Sequence, residues 1–399
     1  MKRSILIFTI LSSIILSDTI QRDRTALRSG PGAWFPKLYE IQKGAEVKVL
    51  QAEGNWVKVK LGGELGYISA KALKGKSSNP DVFASMAMQN ANPQVSKSAI
   101  SAAVKGFADR FSRKLELDPD VIAYRDHSAV DFSGYDEFVS QTIDPKAHRK
   151  VKKKLKLKKL PKDQPFTFSE EGSGLAIAAK LKTLGLVSDP GLNRYVNYVG
   201  SFVAEQSHGY DIPFEFFILD IDGVNGYACP GGIIFITRGA LDQMQSEAEL
   251  ACFLGHEISH VVFRHGMKEM EERKEMIMAD NVFDEMSMEL KVSSDIKLAD
   301  DELDDLALDS YETIFHGRLS NYEEEADEIG LLYAARAGYE PKAMISLLKR
   351  IGSSKSVSGA EHYSKSQNLL RIDRLKKYLK DKTFKGKYQQ HKQRFAKNS

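Results

Sequence analysis

Cysteine is scarce in this sequence: Cys229 and Cys252 are the two among 399 residues. Two cysteines cannot form a four-cysteine structural zinc site, and they can close at most one disulfide. In an oxidising compartment they could pair, or they could stay as two buried thiols. Stability must therefore come chiefly from a hydrophobic core. A chain of this length with 42% hydrophobic residues can build one and has room for two or three domains.

The signature motifs of two large enzyme classes are also absent. The sequence contains no Gly-x-Ser-x-Gly turn, which carries the nucleophile of α/β-hydrolases, and no Walker-type phosphate-binding loop. These absences disfavour a serine hydrolase of that class and a nucleotide hydrolase.

Long hydrophobic runs are missing after the first 17 residues. The chain starts with the basic Met1-Lys-Arg3, followed by an apolar run from Ser4 to Leu16 that is too short to span a bilayer. This pattern is typical of a secretory signal, so residues 1–17 are predicted to be a signal peptide, cleaved near Ser17 or kept as an anchor. We expect an exported protein, periplasmic or envelope-associated, with no transmembrane span after the signal.

Acidic residues are absent from Lys146 to Lys162, a stretch that holds ten Lys or Arg. Without these ten, 47 basic residues remain against 54 acidic ones. The rest of the chain therefore has a net charge of −7, although the whole chain has a net charge of +3. The run could bind anionic lipid or anionic polymers, or it could be a solvated charged segment. No nucleic-acid partner is predicted for an exported protein.

One short motif points to chemistry. His256, Glu257 and His260 form His-Glu-x-x-His inside an apolar helical pattern. At about 100° per residue the two histidines lie about 40° apart, away from the stripe that contains Leu254 and Ile258, so they can share one metal ion. Glu257 between them can accept a proton from a water molecule at that metal. The alternative is two surface histidines on an amphipathic helix.

A catalytic zinc ion needs a third protein ligand. The helical stretch 320–337 contains Glu323, Glu324 and Glu325, and composition cannot choose among them. Glu323 and Asp327 are four residues apart and share a helix face, so one could bind metal while the other orients a ligand histidine. A solvated acidic face is the alternative.

Three further blocks accompany these two motifs: 224–239, Ala337–Pro341 and Arg371–Leu375. Together the five blocks, from about residue 170 to about residue 380, resemble the HtpX and CAAX-prenyl-protease-type zinc metallopeptidases, in particular their soluble periplasmic, BepA-like branch. The resemblance implies one Zn²⁺ per chain. It also assigns roles: His256, His260 and Glu323 as zinc ligands, Glu257 as general base and Asp327 as the acid that supports a ligand histidine.

Two departures from the family pattern limit what the resemblance transfers. The family usually has Asn-Ala-Phe where this chain has Asn225-Gly226-Tyr227. Its Thr-His-Pro block corresponds here to Glu361-His362-Tyr363, with a longer spacing to Arg371. His362 is therefore either a catalytic residue, as a transition-state donor or an occluding ligand, or a plain surface histidine. His265 also fits the family pattern, and we expect it to be structural.

The block after the Pro230-Gly-Gly232 turn is predicted to be a strand. Residues 233–237 are apolar and mostly β-branched, which is typical of a short strand. By resemblance, this strand would lie exposed beside the metal, where an extended substrate could pair with it. An ordinary buried strand is the alternative.

The amino-terminal region is predicted to be small and all-β. Short β-type runs between Arg24 and Leu73 alternate with glycine-containing turns. Ala26–Gly32, Gly54–Val59 and Gly66–Ile68 resemble the bacterial SH3 domain, which implies binding to cell-wall or protein ligands. The aromatic residues that could line a groove, or be divided between groove and core, are Trp34, Tyr39, Trp56 and Tyr67.

The segment between the two metal motifs is rich in methionine and is followed by an acidic tract from Asp295 to Asp309. Flexible methionines suit either an adaptable core or a lid that grips varied apolar substrates. The methionines are Met267, Met270, Met276, Met278, Met286 and Met288.

The predicted architecture is α+β: a small SH3-like barrel followed by a mostly helical, zincin-type metallopeptidase domain with a small sheet. The predicted boundaries are 1–17 for the signal, 24–75 for the SH3-like domain, 76–165 for a linker and weakly helical segment with the basic run, and 166–385 for the peptidase domain. The predicted function is zinc-dependent cleavage of unfolded or damaged envelope proteins. The alternative is an exported holdase or envelope-binding protein with an occluded zinc site.

Overall fold

The computed structural model describes residues 16–74, 97–158, 160, 165–269, 320–353, 365–380 and 382–399. The chain divides into two compact units, residues 1–78 and 79–399. Several predicted features lie outside the described residues: the signal before Leu16, the linker 76–96, the methionines after Met267 and the acidic tract.

The first unit is an antiparallel six-stranded sheet with strand order β1-β4-β5-β6-β2-β3. The strands are β1 (Leu16–Thr19), β2 (Thr25–Arg28), β3 (Lys37–Ile41), β4 (Glu46–Glu53), β5 (Trp56–Leu61) and β6 (Glu64–Ser69), and a 3₁₀ turn follows at Ala70–Leu73. The glycines at the β4–β5 and β5–β6 turns have positive φ, as tight hairpins require. The predicted SH3-like, all-β character of this region is confirmed.

A small apolar core lies within this sheet unit, and the aromatic residues divide between core and surface. The core residues include Ile20, Leu27, Val59 and Ile68, all fully buried. Of the four aromatic residues singled out in the sequence, Trp56 is buried, whereas the other three are partly exposed.

The second unit is mostly helical. Its first helices are α1 (Lys97–Glu116), α2 (Pro119–Ser128), α3 (Phe132–Thr142), α4 (Pro145–Lys154), α5 (Phe168–Leu181) and α6 (Pro190–Glu205). The later ones are α7 (Arg238–Asp242), α8 (Glu247–Phe263), α9 (Ser320–Arg336), α10 (Ala343–Ile351), α11 (Lys365–Tyr378) and α12 (Lys392–Asn398). Short 3₁₀ turns occur at Lys182–Leu184 and Lys382–Phe384.

Asp-Pro pairs start three of these helices. The carboxylates of Asp118, Asp144 and Asp189 each accept a backbone N–H of the first turn, and a proline follows each of them. An aspartate cap satisfies a donor that the helix leaves open, and proline fits the first helical position. The basic run predicted from 146 to 162 therefore contains a defined helix, α4. No described helix has both the length and the apolar character needed to cross a bilayer.

A three-stranded sheet lies in the second unit, with order β7-β9-β8. β7 (Glu215–Leu219) runs parallel to β9 (Ile233–Thr237), and β8 (Gly226–Ala228) pairs antiparallel on the other side of β9. The predicted strand 233–237 is thus present as the central strand, and all its residues are buried. The expectation of an exposed strand there is wrong, and the alternative of a buried strand is confirmed. In the described sheet, β8 occupies the edge that packs on α8.

A buried ionic cluster fixes the start of α8. The carboxylate of Glu247 accepts hydrogen bonds from Tyr195 Oη at 2.8 Å, Tyr339 Oη at 2.7 Å and Arg394 Nε at 2.6 Å. Arg394 also donates to Thr142 Oγ1. Because Glu247 is fully buried, each of these donors offsets the cost of removing its charge from water. The first turn of α8 is therefore held by α6, α12 and the residues after α9.

Two glycines let α8 and α9 approach backbone to backbone. A Cβ added at Gly255 would lie 2.5 Å from the carbonyl oxygen of Gly330, and one added at Gly330 would overlap the backbone nitrogen of His256. Only residues without a Cβ tolerate such an approach. The crossing lies one residue before the first histidine of the motif and seven residues after Glu323, so it sets the distance between the two motifs.

We predict that Gly330→Ala lowers the free energy of unfolding by about 1–3 kcal/mol, because the added methyl group must push the two helices apart. The measurement is the urea midpoint of the full chain by circular dichroism. The matched control is Gly106→Ala on α1, where a Cβ meets nothing within 4 Å and alanine should stabilise the helix by up to about 1 kcal/mol. Equal stability of the two variants would contradict the close crossing.

Candidate metal centre

The helix α8 carries the His-Glu-x-x-His motif in a fully buried setting. Ser246 caps its start by accepting the N–H of Glu249, and residues from Glu247 to Val261 are buried. The sequence predicts that His256 and His260 face away from the apolar stripe of this helix. The structure fills that face with α9, so each histidine is 2% exposed. The alternative of two surface histidines does not hold.

The side chains of His256, His260 and Glu323 converge on one point. Nε2 of His256 lies 3.0 Å from Nε2 of His260 and 3.3 Å from Oε2 of Glu323, and Nε2 of His260 lies 3.3 Å from Oε1 of Glu323. A four-coordinate ion held by imidazole nitrogen at about 2.0–2.1 Å separates its ligand atoms by about 3.3 Å. Within the part of the chain that the structure describes, these three residues form the group able to hold a metal ion.

The hydrogen bonding of Glu323 also fits a cation. Its Oε2 atom is buried and has no hydrogen-bond partner among the described residues. Nε2 of His256 and Nη1 of Arg371 lie 3.3 and 3.6 Å from this oxygen, and a bound cation would supply the close partner that neither provides. The donor set of two imidazoles and one carboxylate thus fits a metal ion by geometry and by unmet bonding capacity.

The three successive glutamates at the start of α9 have three different surroundings. Glu323 faces the two histidines, Glu324 pairs with Arg374 at the surface, and Glu325 Oε2 lies 3.0 Å from Nε2 of His265. Composition alone could not choose the third candidate ligand among these glutamates. The structure places Glu323 beside the two histidines, and the family resemblance indicates the same residue.

Asp327 contacts the Nδ1 atom of His256, the ring nitrogen that does not face His260 and Glu323. Its Oδ1 lies 3.0 Å from Nδ1 of His256, and Arg371 donates to both carboxylate oxygens at 2.7 Å. Nη1 of Arg371 is also 3.6 Å from Oε2 of Glu323. Because a carboxylate on Nδ1 leaves Nε2 as the lone-pair nitrogen, Asp327 orients His256 toward the candidate metal position.

Glu257 lies between α8 and the edge strand β8. It is 3% exposed, and a Cβ added at Gly226 would overlap its carboxylate. Glycine in place of the family's usual alanine thus leaves the space that this carboxylate occupies. The carboxylate thus faces the backbone of β8 at Gly226.

Two regions of the chain match known families. Residues 190–379 match Peptidase family M48, and residues 23–74 match the bacterial SH3 domain. The resemblance predicted from the sequence is confirmed in both regions.

Similar proteins of known name are proteases. The chain is 30% identical over 166 residues to the beta-barrel assembly-enhancing protease of Yersinia pestis and 28% identical over 166 residues to that of Escherichia coli (strain K12). Each match covers 42% of this chain and 34% of the relative, so the chain spans about a third of the length of these relatives. The mitochondrial metalloendopeptidase OMA1 of Arabidopsis thaliana is 28% identical over 159 residues, which cover 37% of this chain and 28% of that protein.

Three residues near the M48 site were not given a role from the sequence alone. Arg371 was noted only as part of a motif, His265 was expected to be structural, and Glu325 was one of three equivalent glutamates. In the structure, Arg371 holds Asp327, and His265 Nδ1 lies 2.9 Å from His260 Nδ1. For His265 and Glu325 the available signal was a position within five residues of a predicted ligand, and for Arg371 it was membership of the Arg371–Leu375 block. The predicted catalytic residue His362 lies outside the described residues.

The candidate metal site of the M48 region holds several buried charges that stabilise one another. Burial disfavours a charged imidazole, but Glu323 and Asp327 outweigh it and raise the pKa of His256 to about 9. Burial likewise opposes ionisation of Glu323, yet His256 and His260 hold the pKa of Glu323 well below its usual range. Arg371, and then His256, lower the pKa of Asp327 against the same opposition. A proton on His256 thus balances the carboxylates when no metal is bound.

We predict that metal binding displaces this proton. Because the imidazole must be neutral to bind metal, the apparent affinity should fall by up to tenfold for each pH unit below about 9. The measurement is chelator competition with Zn²⁺ on the full chain between about pH 6 and about pH 8, where free glutamate and aspartate stay ionised. An affinity that is constant across this range would contradict a protonated His256.

Proposed function

We propose that this protein is an exported zinc metalloendopeptidase that hydrolyses peptide bonds of unfolded or damaged envelope proteins. The observation that carries the proposal is the buried convergence of His256, His260 and Glu323 within 3.3 Å of one another in an M48 region, with Glu257 on the same helix. The protease and metalloendopeptidase names of the relatives support the reaction class.

Zinc is the metal that we propose. Two imidazole nitrogens and one carboxylate, with a fourth position left for water or substrate, are a common catalytic zinc set. When bound, zinc polarises the substrate carbonyl and lowers the pKa of a water molecule toward neutrality. His256, His260 and Glu323 would hold the ion, and Asp327 with Arg371 would keep His256 in the tautomer that presents Nε2.

Glu257 is proposed as the general base. Its carboxylate would take a proton from the attacking water and pass it to the leaving amine, so no covalent intermediate is required. Its position supports this role, because the carboxylate lies on the same helix as His256 and His260 and reaches the backbone of β8 at Gly226.

The remaining parts of the chain would determine the compartment and the partners of the protease. The predicted signal at residues 1–17 supports export to the periplasm or the envelope, and residues 24–75 would form an SH3-like domain that binds a cell-wall or protein ligand. The M48 catalytic domain, proposed as residues 166–385, would act on unfolded or damaged chains. The beta-barrel assembly-enhancing relatives are consistent with a task in the envelope.

Two substitutions separate chemistry from metal binding. Glu257→Gln should keep one zinc per chain and lower kcat for casein by about 10²–10⁴, because a general base is lost while the candidate ligands stay. Glu323→Gln should lose the zinc. The matched control is Glu324→Gln, which changes the exposed neighbour and should retain zinc and activity. Zinc content is measured by atomic absorption after dialysis.

Two outcomes would contradict the proposal. If the wild-type protein and Glu257→Gln both retain zinc and neither cleaves casein or misfolded protein, a holdase with an occluded site becomes the better account. If Glu323→Gln keeps its zinc, the carboxylate ligand is wrongly assigned.

A further inference from the structure

A second chain of contacts reaches the candidate site through His260, whereas Asp327 reaches it through His256. Oε2 of Glu325 lies 3.0 Å from Nε2 of His265, and Nδ1 of His265 lies 2.9 Å from Nδ1 of His260. His260 in turn presents Nε2 toward Glu323 at 3.3 Å. His260 and His265 thus link the candidate metal position to the carboxylate of Glu325, whose side chain is 42% exposed.

The turn after α8 makes this linkage possible. On a continuous helix, His265 would lie about 140° around the axis from His260. The chain instead adopts a left-handed conformation at Arg264, with φ of 56°, which ends the helix and redirects the next residue. His265 is fully buried, and its ring stacks on Tyr322 with centroids 4.8 Å apart. The imidazole is therefore held in one orientation by packing.

Hydrogen bonding through these atoms is directional. A carboxylate only accepts, so Nε2 of His265 carries the proton that it donates to Glu325. Nδ1 of a neutral His265 is then an acceptor, and Nδ1 of His260 must be the donor in the contact between them. This leaves Nε2 of His260 with its lone pair, in the direction of His256 and Glu323.

We propose that His265 and Glu325 are positioning residues that fix His260 in its metal-binding tautomer. Asp327 orients His256 by direct contact with its Nδ1 atom. The partly exposed carboxylate of Glu325 orients His260 in the same way, but through the imidazole of His265. The inference rests on the proposed metal site and does not depend on peptidase activity.

The test is the affinity of the full-length protein for Zn²⁺, measured by chelator competition. His265→Phe keeps a ring of similar size and removes the acceptor, so the dissociation constant should rise by about 10–100-fold. Glu325→Ala removes the terminal acceptor from a partly exposed position and should also raise the dissociation constant for Zn²⁺. His265→Asn retains an oxygen near the place of Nδ1 and should restore affinity to within a few fold of wild type.

Glu324→Ala is the matched control for Glu325→Ala. The two glutamates are adjacent, their side chains are 38% and 42% exposed, and each contacts a basic side chain, Arg374 for Glu324 and His265 for Glu325. The control should leave zinc affinity unchanged. The visible spectrum of the Co²⁺-substituted protein gives an independent readout, because loss or rotation of one imidazole changes the intensity of its bands, whereas a general loss of stability does not.

Unchanged zinc affinity and unchanged Co²⁺ spectra in both His265→Phe and Glu325→Ala would overturn the proposal. If His265→Phe fails to fold, Glu325→Ala decides alone, since its side chain is partly exposed. Equal effects of Glu324→Ala and Glu325→Ala would also overturn it, because a general charge effect would then suffice. Failure of the wild-type protein to bind zinc would instead contradict the proposed function.

Discussion

The site depends on the contact between the backbones of two helices. Gly255 on α8 and Gly330 on α9 allow the helices to meet without an intervening side chain, so His256 and His260 come within 3.3 Å of Glu323. A side chain at either glycine would widen the gap by more than a metal–ligand bond can stretch, since these bonds vary by only about 0.2 Å. The buried cluster around Glu247 fixes the other end of α8.

The charges at this crossing form one balanced set. Glu323 and Asp327 are anionic, Arg371 is cationic, and the metal-free site adds a proton on His256 because the pKa of that residue is raised to about 9. Buried ions are tolerated only when paired, and removing one partner leaves the other uncompensated. In the metal-free site the charges of Glu323 and Asp327 are thus balanced by Arg371 and by the proton on His256, which a bound cation would replace.

The sequence predicts local features of this site well and features set by tertiary contacts poorly. The spacing of His256 and His260 depends on one helix, and the all-β and helical regions follow from periodicity, so both could be read directly. The choice of Glu323 required the family resemblance, because it depends on how α9 crosses α8. The role of His265 was missed because it follows from the left-handed turn at Arg264, and the edge position of β8 was missed because strand order is a long-range property.

Anomalous diffraction at the zinc absorption edge, from crystals of the full chain grown with zinc, would locate the metal itself. We expect one peak between α8 and α9, bonded at about 2.0–2.2 Å to Nε2 of His256, Nε2 of His260 and a carboxylate oxygen of Glu323. A peak bonded by other residues, or none at this position, would contradict the account.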